Sequence, residues 1–134
     1  MAHRHSVLVV EDDDDLREAF VSVLLDEDFR IEEARNGNEA LDRLRAGQRP
    51  CLILLDLSMP VMNGWEFLAR QRRDPAIASI PAVVISATVD EDDFLSPTAV
   101  LRKPVDYDQL LRAVNRHLQA EEVRYGARPL PANN

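Results

Sequence analysis

Short apolar runs alternate with amphipathic stretches along almost the whole chain. Val7-Leu8-Val9-Val10 is continuous, rich in β-branched residues and strand-sized. Leu16, Phe20, Val23 and Leu24 then recur at i, i+4, i+7 and i+8, the spacing of one apolar helix face. Asp14 or Asp15 is placed to cap that helix, and the acids there suit the positive end of its dipole. Phe29 to Ala34 predicts a short, weak strand. Asn36-Gly37-Asn38 is turn chemistry, with Asn38 expected to cap a helix carrying Ala40, Leu41 and Leu44 and Gly47 placed to end it. Leu52 to Leu55 is a third strand, and Gly64 precedes a helix through Trp65, Phe67 and Leu68 that stops near Asp74-Pro75. Pro81 opens a fourth strand running to Ser86, a tolerated place for proline. Ala99-Val100-Leu101 is a fifth. Asp106 then starts a last helix with Leu110, Leu111, Val114 and Leu118 on one face.

Strands alternating with helices predict an α/β fold, a doubly wound parallel sheet covered on both faces. Near-continuous apolar strands are what burial on both faces requires. In such folds ligands bind outside the carboxyl ends of the strands, so the residues just after each strand carry the chemistry.

The chain has 134 residues, which suits a single core. We expect one domain over residues 1–120 and a frayed tail over 121–134, where EEVRYGARPLPANN contains two prolines. The apolar runs are far shorter than a bilayer span, and the N-terminus has no signal-peptide pattern. The single cysteine, Cys51, has no internal disulfide partner, which fits a reducing, cytoplasmic setting and a packing role. Net charge is −8, from 24 acids and 16 bases, and this argues against a nucleic-acid-gripping face. His3, His5 and His117 are too few and too scattered for a tag; they read as solvated side chains, and no metal is assigned to them.

Four sets of residues follow the strands: Glu11, Asp12, Asp13, Asp14 and Asp15 after the first, Asp56 after the third, Ser86-Ala87-Thr88 after the fourth, and Lys103-Pro104 after the fifth. A parallel sheet brings them to one rim. Glu11, Asp12 and Asp56 would then be three carboxylates together, with Lys103 the one positive charge. Like charges that close raise one another's pKa or demand a cation. A hard, oxygen-preferring divalent ion meets that demand, and Mg²⁺ suits best, since it completes its octahedron with water and phosphate oxygens. With the charge balanced, Asp56 can attack a phosphoryl group, as carboxylates do in aspartyl-phosphate chemistry. Lys103 and the Ser86 hydroxyl are placed to meet phosphoryl oxygens. Taken alone, the acidic run reads as a solvated helix start and Ser86 as a hydroxyl bonded to backbone.

VLVVEDDDDLRE, LLDLSMPVMNGWEFL, VISAT and LRKP, in this order and spacing, resemble the receiver domain of bacterial two-component response regulators. The likeness covers roughly residues 6 to 118. It implies a flavodoxin-like, five-stranded sheet in the order 2-1-3-4-5. Asp56 would be the phosphoacceptor. Asp12 would bind Mg²⁺ directly, Glu11 largely through water, and Ser58 through its backbone carbonyl. Ser86 would be the conformational hydroxyl, and Lys103 would pair with the phosphoryl group. Pro104 matches a proline often preceded by a cis bond, and Pro60 and Gly64 shape the loop after Asp56. The implied donor is a phosphohistidine on a sensor kinase or phosphotransfer protein, and the output is a downstream protein partner or a phosphorelay step.

Two departures are visible. Val100 stands three residues before Lys103, where the family usually carries a ring that swings inward. The stretch ATVDEDDFLSPTAV is shorter than in most relatives, so the fourth helix is expected to be cut to one or two turns. An altered output face follows, with a monomer or weak dimer expected. With no output domain after the receiver, the chain is expected to act as a stand-alone regulator, not as an enzyme. The alternatives are a receiver that binds partners independently of phosphorylation, and a Mg²⁺-dependent phosphatase. The latter's second acid would fall at Ser58.

Overall fold

A computed structural model describes residues 5–57, 62–86 and 99–121. The order is β1 (Ser6–Val10), α1 (Asp14–Asp26), β2 (Arg30–Ala34), α2 (Gly37–Arg45), β3 (Leu52–Asp56), α3 (Gly64–Arg73), β4 (Ala82–Ser86), β5 (Ala99–Arg102) and α4 (Tyr107–Glu121). The five strands form one parallel sheet in the order β2-β1-β3-β4-β5, as expected. The expected short helix between β4 and β5, the turn through Ser58 and Pro60, and the C-terminal tail lie outside the described residues.

Strand residues alternate between two cores because successive side chains point to opposite sheet faces. Leu8, Val10, Ile53, Leu55, Ala82 and Val84 meet Ala40, Leu41, Leu44, Phe67 and Leu68 of α2 and α3. Val7, Val9, Leu52, Leu54, Val83 and Ile85 meet Phe20 and Leu24 of α1 and Leu110, Val114 and Leu118 of α4. β3 and β4 are buried at every position, which is why their sequences read as unbroken apolar runs.

The helix starts correct two expectations. Asp13, not Asp14 or Asp15, caps α1, and its side chain accepts the Leu16 amide at 3.1 Å. Asn36, not Asn38, caps α2, accepting the Glu39 amide at 2.9 Å. A cap residue must be extended while the residues after it are helical, so the turn leaving each strand selects the cap among neighbouring acceptors. Gly47, at φ 111°, closes α2 in the left-handed region. On α3, Asn63 and Glu66 form a reciprocal capping box, at 2.9 and 3.1 Å. Asn63→Ala should therefore cost about 1 kcal/mol of stability, read as a lower urea midpoint at unchanged slope.

Candidate functional site

The carboxyl ends of β1, β3, β4 and β5 lie side by side. Val10 pairs with Leu55, Asp56 with Ile85, and Ser86 with Arg102. The residues that follow are thereby delivered to one rim. Glu11 is still tied to the sheet, donating its amide to Ala34 C=O at 3.0 Å. Its side chain is buried, at 1% exposure, and so is Asp56 at 2%. Asp12 is exposed. One carboxylate oxygen from each of Glu11, Asp12 and Asp56 lies within 4.8 Å of the others.

Lys103 reaches this cluster from the far side, with Nζ 3.2 Å from Asp56 Oδ1. Its backbone is set by the Lys103 amide donating to Ser86 C=O at 2.9 Å. The Lys103-Pro104 peptide is cis, the isomer the family resemblance implied. Ser86 is buried at the end of β4 on the same rim. Glu11, Asp12, Asp56, Ser86 and Lys103 thus share one rim of the sheet. Ser58, expected to offer a carbonyl, lies outside the described residues.

The electrostatics are unbalanced. Burial pushes the Glu11 carboxyl up to about 8, and the neighbouring Asp56 charge pushes the same way. The Asp13 amide, donating to Glu11 Oε2 at 3.2 Å, and the Lys103 charge oppose this only in part. Glu11 Oε1 is buried without a hydrogen-bond partner. A buried acceptor with nothing to accept from, beside two further carboxylates, fits a bound cation. An all-oxygen donor set with one exposed member suits a hard divalent ion that keeps water ligands.

Arg17 was not singled out from the sequence. It is only 7% exposed, on the same face of α1 as Phe20 and Leu24. Its guanidinium donates to Glu11 C=O at 2.9 Å and to Glu33 Oε1 at 3.0 Å, and it pairs with Asp14. It fixes the backbone at the point where β1 turns into the acidic run. It also holds the Asp14 carboxyl below its usual range. The sequence signal was a cation at i−3 and i−7 from the buried Phe20 and Leu24, flanked by acids able to neutralise it.

Below the site, Gly64 packs against the strand that carries Asp56. Its amide donates to Leu57 C=O at 2.9 Å. A Cβ added at Gly64 would stand 2.6 Å from Leu57 Cα and 2.9 Å from the Asp56 carbonyl oxygen. Val100, three residues before Lys103, is 43% exposed.

Residues 7–115 match the family model described as the response regulator receiver domain. The chain is 34% identical to the response regulator Rre1 of Synechocystis sp. over 128 residues, covering 91% of this chain and 54% of that protein. It therefore spans about half the length of that relative. A response regulator receiver protein from Pseudomonas putida superposes with a TM-score of 0.78 at 30% identity, over 87% of this chain and 99% of that one. The chemotaxis response regulator CheY4 of Vibrio cholerae gives a TM-score of 0.78 at 27% identity, over 86% and 99%. Among the described residues, no helix is long and apolar enough to cross a membrane.

Proposed function

This chain belongs to the response regulator receiver family, and on that premise we propose that it is a phosphorylation switch with Asp56 as its acceptor. The observation that carries the reading is the meeting of the buried Asp56 with Glu11, Asp12 and Lys103 at one rim. Asp56 stands at the carboxyl end of β3, buried at the rim of the sheet. Its attack forms an Asp56 O–P bond and breaks the P–N bond of a phosphohistidine donor, whose imidazole leaves with the electron pair. Lys103 meets negative charge on the transferred phosphoryl group, and the Ser86 hydroxyl is assigned a second phosphoryl oxygen. Glu11, Asp12 and Asp56, with the Ser58 carbonyl, would hold Mg²⁺, which when bound neutralises carboxylate and phosphoryl charge. Arg17 keeps Glu11 in place through its carbonyl.

The covalent phosphoryl group then biases a conformational equilibrium that a protein partner reads, or it passes onward in a relay. The reading sets the chain in the cytoplasm, opposite a sensor kinase or phosphotransfer protein. Signalling, rather than turnover of a substrate, is its output.

Intact mass after incubation with acetyl phosphate and Mg²⁺ tests this. The expected result is a gain of one phosphoryl group that needs Mg²⁺ and is lost in Asp56→Asn. No gain, even with a cognate kinase, would leave a partner-binding receiver that works without phosphorylation. Lys103→Ala should slow the gain by about a hundredfold, read from the same mass series over time, because it removes a preorganised positive charge.

A further inference from the structure

A second charged feature lies at the opposite edge of the sheet. Arg45 ends α2, and Arg70 and Arg73 lie in the last turn of α3. With Asp74 and Pro75 they line an open groove of about 560 Å³. All three arginines are exposed. Among the described residues no ion pair engages any of them. Asp74 is turned to its own backbone, with Oδ1 accepting the Ala76 amide at 3.0 Å. Three guanidinia therefore line one groove with a single carboxylate, Asp74, on a protein whose net charge is −8.

Cations in a last helical turn offset the negative end of the helix dipole. That role is met by a cation anywhere on the turn and needs no convergence of two helices on one groove. Guanidinium forks match carboxylate geometry bidentately. Both helices end here, and the negative ends of their dipoles disfavour a concentrated phosphate dianion more than the spread charge of an acidic peptide. Helix N-termini, which favour phosphate, do not line the groove. A nucleic-acid backbone needs an extended basic face, which a chain of this net charge opposes.

We infer that the groove formed by Arg45, Arg70 and Arg73 is a docking site for an acidic, Asp/Glu-rich peptide segment of a partner protein. It lies at the N-terminal edge of the sheet, since Arg45 precedes β3 and Arg73 precedes β4. Asp56 ends β3 at the other edge, about 13 Å along the strand from Leu52. Docking there leaves the acidic rim open, and the inference stands independently of phosphorylation at Asp56.

The probe is a fluorescent octapeptide of alternating Glu and Asp, titrated with the full chain at low salt and read by anisotropy. Arg45→Gln/Arg70→Gln/Arg73→Gln is compared with Arg30→Gln/Arg112→Gln/Arg116→Gln, which removes the same charge from exposed sites elsewhere. Thermal melts of both variants check folding. Expected is saturable binding that weakens at least tenfold in the groove variant and no more than twofold in the control, with the acetyl-phosphate mass gain unchanged in both. Equal weakening in the two variants, or no saturable binding by the natural chain, would overturn it. So would tighter binding of an eight-nucleotide single strand with the same arginine dependence, which would make the groove a nucleic-acid site.

Discussion

Glu11→Gln should stabilise the cation-free protein at pH 8 by roughly 2 kcal/mol more than at pH 6, and should nearly abolish Mg²⁺ binding. The Glu11 carboxyl moves from 4.5 to about 8 on folding, through burial and the Asp56 charge. Between those values the native state holds a proton that the unfolded chain has released. Stability then falls as pH rises, by up to about 1.4 kcal/mol per unit, and levels off above about 8. Below about 4.5 the group is protonated in both states and the slope vanishes. Glutamine is neutral throughout, so the variant lacks this slope. Its amide also gives the buried position a donor toward Asp56, where Glu11 Oε1 has no partner. Urea unfolding in EDTA at pH 6 and pH 8 measures the difference. If the natural chain and the variant show the same pH slope, Glu11 is not the group that titrates. With Mg²⁺ in place of EDTA, the natural chain should regain stability at pH 8, because a cation stabilises the ionised carboxylates only in the folded state. The variant should regain little, having lost one of the three acids.

Gly64→Ala should cost about 3 kcal/mol and should slow phosphoryl uptake even in the fraction that folds. The added methyl group would meet Leu57 Cα at 2.6 Å and the Asp56 carbonyl oxygen at 2.9 Å, both backbone atoms. Backbone in a packed sheet edge yields far less readily than the end of a side chain, so the strand end or the start of α3 must shift. Either movement displaces Asp56 relative to Lys103. A Gly64→Ala protein with the natural urea midpoint and uptake rate would show that this contact is not tight in solution. Alanine at Gly47 makes a useful contrast. Space is open there, and only the left-handed backbone, at φ 111°, opposes the change, so the loss should be nearer 1 kcal/mol and uptake unaffected.

Both predictions rest on features that the sequence showed unevenly. The five strands were legible because their length and unbroken apolar character are local properties. So was the meeting of Glu11, Asp12, Asp56, Ser86 and Lys103. In a parallel sheet, every strand end reaches the same edge, and each of these residues ends an apolar run or lies within two residues of its end. The caps were misplaced by one or two residues, since Asp13, Asp14 and Asp15 are chemically alike and only the backbone turn after Val10 chooses among them. Arg17 went unnoticed because a guanidinium on an apolar helix face is explained only by what surrounds it, here the Glu11 carbonyl, Glu33 and Asp14.

The order of elements, the two apolar faces of the sheet and the chemical types gathered at its rim follow from the amino-acid order alone. Residue type, apolar periodicity and turn chemistry act over a few neighbours and suffice for that. Packing in three dimensions brings Lys103 within 3.2 Å of Asp56, buries Glu11 enough to resist ionising, sets Gly64 against the backbone carrying Asp56, and turns three arginines from two helices to one groove. Those are distances and solvent exposures set by how the helices pack across the sheet, and desolvation and Coulomb energies depend on them steeply.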